Sequence, residues 1–472
     1  MVLNPAAFYT DVDNVVQWLI DPFAFLYKAL GKPSVPMPDV TTENGKRLFL
    51  AHIDGDALPS WAEMPGRKLG AEVILEEILK PYALPHTVSI VEAEMNAFPQ
   101  YFDRRKRMFD VAREIFAMPS VEIATHTYSH PFKWQRVAGH TGSGKYNLKI
   151  DNYQFDPKRE VNGSAEFIDK NLAPPGKKTE VFLWSGDALP TARMLSAVYK
   201  SGLVNMNGGA TTISRSNPAL SLVSPMARTV GDFVQPYAPI MNENVFTNDW
   251  LGPFDGFRRV IETFQMTEEP RRIKPLNIYY HFYAGTKVAS LRSLVEIYDW
   301  SAKQDINPVF VSEYAVKVPD YREMGIGRYL DGTWKAVNMG TVNTLRMIDQ
   351  EMWPDLSSSK HLVGAKKLHD GVYFHTDGTD TFTFRTTEKP MRLPHLVSAN
   401  GQVVEWSRKG NSIGFRITGK VPVQMELGGD SVPTCGVKTS RGVIKGKKTS
   451  TGTYLFNFNN QDTGNVRIYC QA

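Results

Sequence analysis

Two short stretches hold the residues best suited to chemistry. His52-Ile53-Asp54-Gly55-Asp56 supplies two carboxylates, and Thr125-His126-Thr127-Tyr128-Ser129-His130-Pro131 supplies two imidazoles. His126 and His130 are four apart, so a helical turn would project both from one face toward a shared cation. Zinc-type catalytic sites use three protein ligands and leave a further position for water, and a carboxylate from another segment completes such a set. Residues two apart on a strand point the same way, so one of Asp54 and Asp56 can bind metal while the other faces the water. Each stretch alone has a plain alternative, core or capping histidines in one case and an acidic turn in the other. Found together, they favour a metal site.

Both stretches follow apolar runs, Leu48-Phe49-Leu50-Ala51 and Val121-Glu122-Ile123-Ala124, that read as buried strands. The reactive groups therefore stand where a strand ends and a loop begins, the edge at which α/β folds collect their chemistry. Further strands are expected over Thr87–Val91, Glu180–Leu183, Val204–Met206, Leu276–Tyr280 and Pro308–Ser312. Helices are expected over Ala71–Lys80, Arg104–Phe116, Ala165–Asn171, Ala192–Lys200 and Ser290–Lys303. About seven strands alternating with helices imply an α/β fold of parallel strands joined by helical crossovers. From about residue 325 the texture changes to short alternating runs separated by Gly, Asp, Asn and Ser, which suggests an all-β sandwich.

The wording His-Ile-Asp-Gly-Asp, with Ala-Thr-His-Thr-Tyr-Ser-His-Pro-Phe over Ala124–Phe132, resembles the first two motifs of the polysaccharide deacetylase family (NodB homology, carbohydrate esterase family 4). Within it the Pel exopolysaccharide deacetylases are the nearest in wording. The resemblance runs from about Thr41 to Tyr321. It implies a distorted (β/α) barrel, Asp54 as catalytic base, and Asp56, His126 and His130 as ligands of a divalent cation, zinc first among the candidates. His281, in Ile278-Tyr279-Tyr280-His281-Phe282-Tyr283, resembles the family's general acid. The family's Arg-x-Pro motif is absent. Trp184-Ser185-Gly186-Asp187 stands as its candidate replacement, although Asp187 would repel Asp54 and Trp184 could instead wall a sugar groove. Asp249 and Trp250 are weaker candidates for shaping the acetyl pocket and orienting His281. A backbone N–H near Tyr128 or Ser129 is expected to hold the oxyanion. His52 is expected behind the base, while Glu92 and Glu94 are expected in solvated or structural roles on the strand after Thr87.

The implied activity is release of acetate from an N-acetylhexosamine exopolysaccharide. Two rivals belong to other classes: a glycoside hydrolase using Asp54 and Asp56 as an acid/base pair, and a glycan-binding or assembly module with little catalysis. Gly139-His140-Thr141-Gly142-Ser143-Gly144-Lys145-Tyr146 nearly spells a phosphate loop, but Tyr146 stands where Ser or Thr is needed, so no nucleotide is expected. A net charge of +5 over 472 residues is mild and reads as spread along the chain, so nucleic acid is not expected either.

The chain is long enough for two domains, and its 42% hydrophobic and 22% charged content is ordinary for a globular protein. The expected division is residues 1–40 as a helical tail and proline-rich linker left from a preceding domain, 41–325 as the deacetylase domain, and 326–472 as the sandwich. No apolar stretch reaches membrane-spanning length. The resemblance implies a periplasmic or otherwise extracytoplasmic location and admits another exopolysaccharide-secretion protein as partner. Cys435 and Cys470 are read equally as a disulfide or as two buried thiols.

Overall fold

In the computed structural model, described over residues 7–10, 16–31, 34–140, 142–247, 252–430, 432, 435–439 and 442–470, the first large unit is a curled parallel sheet. Its strands are β1 (Lys46–Asp54), β2 (His86–Val88), β3 (Val121–Thr125), β4 (Thr179–Leu183), β5 (Val204–Met206) and β6 (Leu276–His281), hydrogen-bonded in the order β6-β1-β2-β3-β4-β5. A seventh, β7 (Ile306–Pro308), pairs in parallel with the start of β1. Between Arg47 and Asp54 every residue of β1 is buried, as expected for a parallel strand covered on both faces. The curl stays open between β5 and β6, so the barrel is incomplete.

Register decides what meets at the edge of this sheet. Between β6 and β1, Tyr279 pairs with His52 and His281 with Asp54. The base and acid candidates thus end neighbouring strands at the same level although 227 residues separate them in sequence, because β6 pairs directly with β1.

Several local expectations are corrected. Pro308–Ser312 is not a strand: β7 ends at Pro308 and a helix begins at Val311, its first turn capped by Glu313 accepting from the Phe310 N–H. Glu92 and Glu94 lie on a short helix, Glu92–Asn96, and not on a strand. Among the described residues of the expected helical tail, Phe8–Thr10 and Val16–Trp18 pair as antiparallel strands, and Pro22–Leu30 is helical, started by Asp21 accepting from Phe23 and Ala24. Met37–Pro38, in the expected linker, forms the edge strand of the C-terminal sheet beside Thr344–Met347.

The C-terminal region is built from two larger antiparallel-rich sheets, one of eight strands and one of five, packed over Val363, Leu396, Phe415, Met425 and Ile468. Within the five-stranded sheet, Cys435 and Cys470 stand opposite each other in register. One apolar core joins the two regions: Leu48, Leu50 and Leu183 of the parallel sheet share it with Tyr314 and Val318 of the helix Val311–Glu323 and with Leu345 and Phe374 beyond it. Among the described residues, no helix is long and apolar enough to cross a membrane.

Candidate metal and acid–base site

Asp56, His126 and His130 come together although Val121–Thr125 is followed by a loop, not by the helical turn that a four-residue spacing suggests. The loop achieves the same meeting through left-handed backbone at Thr127 (φ 74°) and His130 (φ 48°). For a β-branched residue such as Thr127 this is a strained conformation, costing about 1–2 kcal/mol. His130 Nε2 lies 2.8 Å from Asp56 Oδ1, and His126 Nε2 lies 3.2 Å from Asp56 Oδ2. One ligand atom from each of the three residues falls within 4.8 Å of the others.

These residues fit a divalent cation. His126 Nδ1 donates to the Leu183 carbonyl at 3.0 Å, which leaves the Nε2 lone pair facing the carboxylates. Asp56 Oδ2 is buried and receives no hydrogen bond. Burial pushes Asp56 up, but His130 and His126 outweigh it and hold the carboxyl well below its ordinary range. Burial likewise pushes His126 down, and Asp54 and Asp56 overcome it to raise the ring above its usual value. Positive charge is what this spot lacks.

Asp54 is 2% exposed and sits behind the triad, 3.6 Å from His126 Nε2. Asn207 Nδ2 donates to both its oxygens, at 3.0 and 3.1 Å, and Tyr279 Oη donates to Oδ2. Asn207 Oδ1 in turn meets His52 Nε2 at 3.1 Å, and the His52 ring stacks on Tyr279 with centroids 4.1 Å apart. Burial lowers His52 to about 4, so it is neutral. Asp54 is therefore held by Tyr279 and by Asn207, whose Nδ2 also donates to the Trp184 carbonyl at 3.1 Å, and not by a side chain of the Trp184–Asp187 segment. Asp187 is spent on the N–H groups of Trp134 and Leu189. Trp184 is 1% exposed, packs edge-on against Trp134 and donates to Asn205, so it cannot wall a groove.

His281 Nε2 lies 3.8 Å from Asp54 and 3.9 Å from Asp56. Its other nitrogen, Nδ1, is 3.1 Å from both oxygens of Glu243, which also accepts the His281 backbone N–H at 2.8 Å. Burial alone would lower His281, but Glu243, with help from Asp56 and Asp54, raises it to about 9. Glu243 is thus the carboxylate seen against His281, while Asp249 and Trp250, expected to orient His281 and shape the acetyl pocket, lie outside the described residues.

The expected oxyanion donors are already engaged. Tyr128 N and Ser129 N both donate to Glu160 Oε2, at 3.0 and 2.9 Å. The Tyr128 side chain is half-buried under the Arg159 guanidinium, 3.9 Å from its ring centroid. Glu92 is buried and paired with Arg159. Glu94 lies near Asp56; burial first, then the Asp56 charge, pushes its carboxyl well above the ordinary range. The near-phosphate-loop is neither preceded by a strand nor followed by a helix; around it, Phe132 N donates to Tyr146 and Asn147 Nδ2 to Ser129 Oγ.

Basic charge is less evenly spread than the sequence reading held. Arg104-Arg105-Lys106-Arg107, flanked by Tyr101, Phe102 and Phe109, is a basic run among aromatics. Much of it is satisfied internally: Lys106 pairs with Asp110, Arg107 with Glu72, and Arg104 with Asp103 while lying over Trp61.

Sequence reasoning missed Asn207, Tyr279 and Glu243. The Asn207-Gly208-Gly209 strand end was a usable signal, because Asn207 adopts φ 103° and both glycines are also left-handed. Glu243 offered none.

No family model matches the chain, and no curated protein matches it. Among solved structures, a candidate glycoside hydrolase/deacetylase from Parabacteroides distasonis is 12% identical, with a TM-score of 0.38, over 65% of this chain and 82% of that one. The 4-alpha-glucanotransferase from Thermococcus litoralis is 13% identical, with a TM-score of 0.36, over 57% of this chain; the match spans only 40% of the glucanotransferase. Endo-glycoceramidase II from Rhodococcus sp. is 12% identical, with a TM-score of 0.24, over 93% of this chain and all of that one. Likenesses this distant carry no argument about activity. The functional reading rests on the site itself.

Proposed function

We propose that this chain is a metal-dependent de-N-acetylase of an N-acetylhexosamine polysaccharide. The observation that carries the reading is the convergence of three devices: the Asp56–His126–His130 cluster, a carboxylate held by neutral donors, and a histidine held by a carboxylate, with Asp54 Oδ2 within 3.6–3.8 Å of both His126 and His281. Asp56, His126 and His130 would hold the ion, zinc being the first candidate for a two-imidazole, one-carboxylate set. When bound, the cation supplies Lewis acidity to the acetamide carbonyl and to water.

The remaining steps belong to the protein. Asp54, kept as an acceptor by Asn207 and Tyr279, takes the proton of the water that adds to the carbonyl carbon. His281, kept protonated by Glu243, gives its Nε2 proton to the nitrogen as the C–N bond breaks. Acetate and a free amine result. Tyr128, half-exposed beside the histidine loop, remains the candidate sugar contact. The sugar class comes from the motif wording, which also suggests a Pel-like exopolysaccharide, an extracytoplasmic location and a secretion-machinery partner, with residues 41–325 as the catalytic unit and 326–472 as its companion.

The glycosidase rival needs two carboxyl groups flanking the scissile bond, at least ~5 Å apart. Asp54 and Asp56 instead approach the same nitrogen of His126, and that scheme leaves both loop histidines without a task. Acetate release from an acetylated hexosamine polymer, assayed before and after chelation with metals restored singly, tests the proposal. Chelator-sensitive acetate supports it; reducing ends released without metal would overturn it.

A further inference from the structure

The strained histidine loop needs something to keep it strained. Tyr128 N, Ser129 N and Ser129 Oγ all donate to Glu160, whose carboxylate is fully buried and also accepts from Tyr153 Oη at 2.5 Å. The loop carbonyls are held from the other side. Thr127 O accepts from Glu92 N at 3.1 Å and Tyr128 O from Ala93 N at 3.0 Å, so the start of the helix Glu92–Asn96 grips them. Arg159, the neighbour of Glu160, clasps the Glu92 carboxylate with both terminal nitrogens and covers the Tyr128 ring. His130 N donates to Thr127 Oγ1 at 2.9 Å, and Ser129 O accepts from Leu148 N at 2.8 Å.

Two adjacent residues thus clamp both edges of the segment that joins the two imidazoles. They sit on a π-helical turn, Arg159–Gly163, an irregularity that recurs at functional sites. Buried backbone N–H groups need an acceptor, and here a single buried carboxylate supplies it for two of them and for two hydroxyls as well. The two left-handed residues of this loop, Thr127 and His130, bracket Tyr128 and Ser129, the residues whose N–H groups Glu160 accepts.

We propose that Arg159 and Glu160 are the positioning residues of the metal site, setting its affinity by holding Thr127–His130 in the left-handed bend that brings His130 to Asp56. Neither touches the ion or the substrate. The inference rests on Asp56, His126 and His130 being ligands, as in the proposed function. Glu160→Gln removes the charge and leaves one acceptor oxygen for the two backbone N–H groups, so its NH2 must face the Ser129 and Tyr153 hydroxyls that donate to the carboxylate, which loosens the grip without changing side-chain volume.

The test is zinc affinity of the full chain, measured by competition with a chromogenic chelator at pH 7.5 and requiring no activity. Glu160→Gln is expected to weaken binding about 10- to 100-fold, the range seen when partners of metal ligands are removed. Arg159→Gln is expected to weaken it several-fold, about tenfold at most. Val363→Ala, in the core of the C-terminal strands, is expected to lower thermal stability with unchanged affinity, which separates loop control from general destabilisation. Wild-type affinity in Glu160→Gln, with Asp56→Ala non-binding, overturns the clamp and leaves the metal site standing. Wild-type affinity in Asp56→Ala as well means that the metal reading itself has failed. Should Glu160→Gln lose its circular dichroism signature, Arg159→Gln decides, and wild-type affinity there overturns the inference.

Discussion

Asp54 and His281 end neighbouring strands in the same register, yet the protein treats them oppositely. Asp54 is surrounded by neutral donors, an amide and a phenol backed by a neutral histidine. His281 is backed by a carboxylate. In the proposed mechanism these contrasting partners give the two groups contrasting roles, the usual way in which acid and base are assigned within one cavity. The lesson is that position on the sheet brings the groups together, while the residues behind them divide the labour.

The strongest attack on this comparison removes the groups themselves. Asp54→Ala and His281→Ala should each lower kcat about 10²- to 10⁴-fold while zinc binding persists. His126→Ala should lose both turnover and metal. Paired acetate and zinc-binding assays check this, and full activity in Asp54→Ala ends the mechanism.

Exchanging the backing groups sharpens the contrast. Glu243→Gln takes away the largest influence raising His281 from its ordinary 6.5 to about 9. Protonated His281 is the donating form, so activity should fall as pH rises through about 9 in the wild type, and the limb should move down toward 6.5 in the variant. A pH–rate profile reads this directly. An unmoved limb would show that Glu243 does not set the acid. The same raised value means that His281 adds stability fully present below 6.5 and lost as pH climbs through about 9.

On the base side, Tyr279→Phe keeps the ring stacked on His52 and deletes one hydrogen bond to Asp54. A hydrogen bond to a charged group is worth about 1.5–3 kcal/mol, so kcat should fall about 10- to 100-fold with KM nearly unchanged. A rise in KM instead would move Tyr279 from base positioning to substrate binding.

The smallest effect concerns stability. His52 and His86 are buried, and burial lowers each to about 4. Their contribution is intact above 6.5 and declines as pH falls from 6.5 toward 4, because the unfolded chain takes up protons first. Calorimetry should show Tm dropping across that window, less steeply in His86→Gln.

Much of the scaffold could be read without coordinates. Val204–Met206 is a strand over those same residues, and Val121–Ala124 and Glu180–Leu183 each lack one residue of the observed strand, because continuous apolar runs bounded by turns leave little choice. The reading slipped where tertiary contacts overrule local pattern. The Phe8–Leu30 stretch looks helical throughout, yet Phe8 pairs with Trp18 between antiparallel strands. Val309-Phe310-Val311 looks like a strand, yet capping by Glu313 and the Thr87 hydroxyl accepting from Val311 N begin a helix.

The sequence by itself determined which side chains could do chemistry, since Asp54, Asp56, His126 and His130 are clustered in two short motifs at strand ends. Tertiary structure alone decided who serves them. Asn207 is 153 residues from Asp54, Tyr279 is 225 away, and Glu243 stands 38 before His281. Those partners were chosen by strand order and the curl of the sheet, which close distances that no local periodicity encodes. Glu160 is the clearest case: a lone acid 31 residues beyond Ser129, without signal in its own neighbourhood, becomes the hub of the ligand loop once the chain folds back on it.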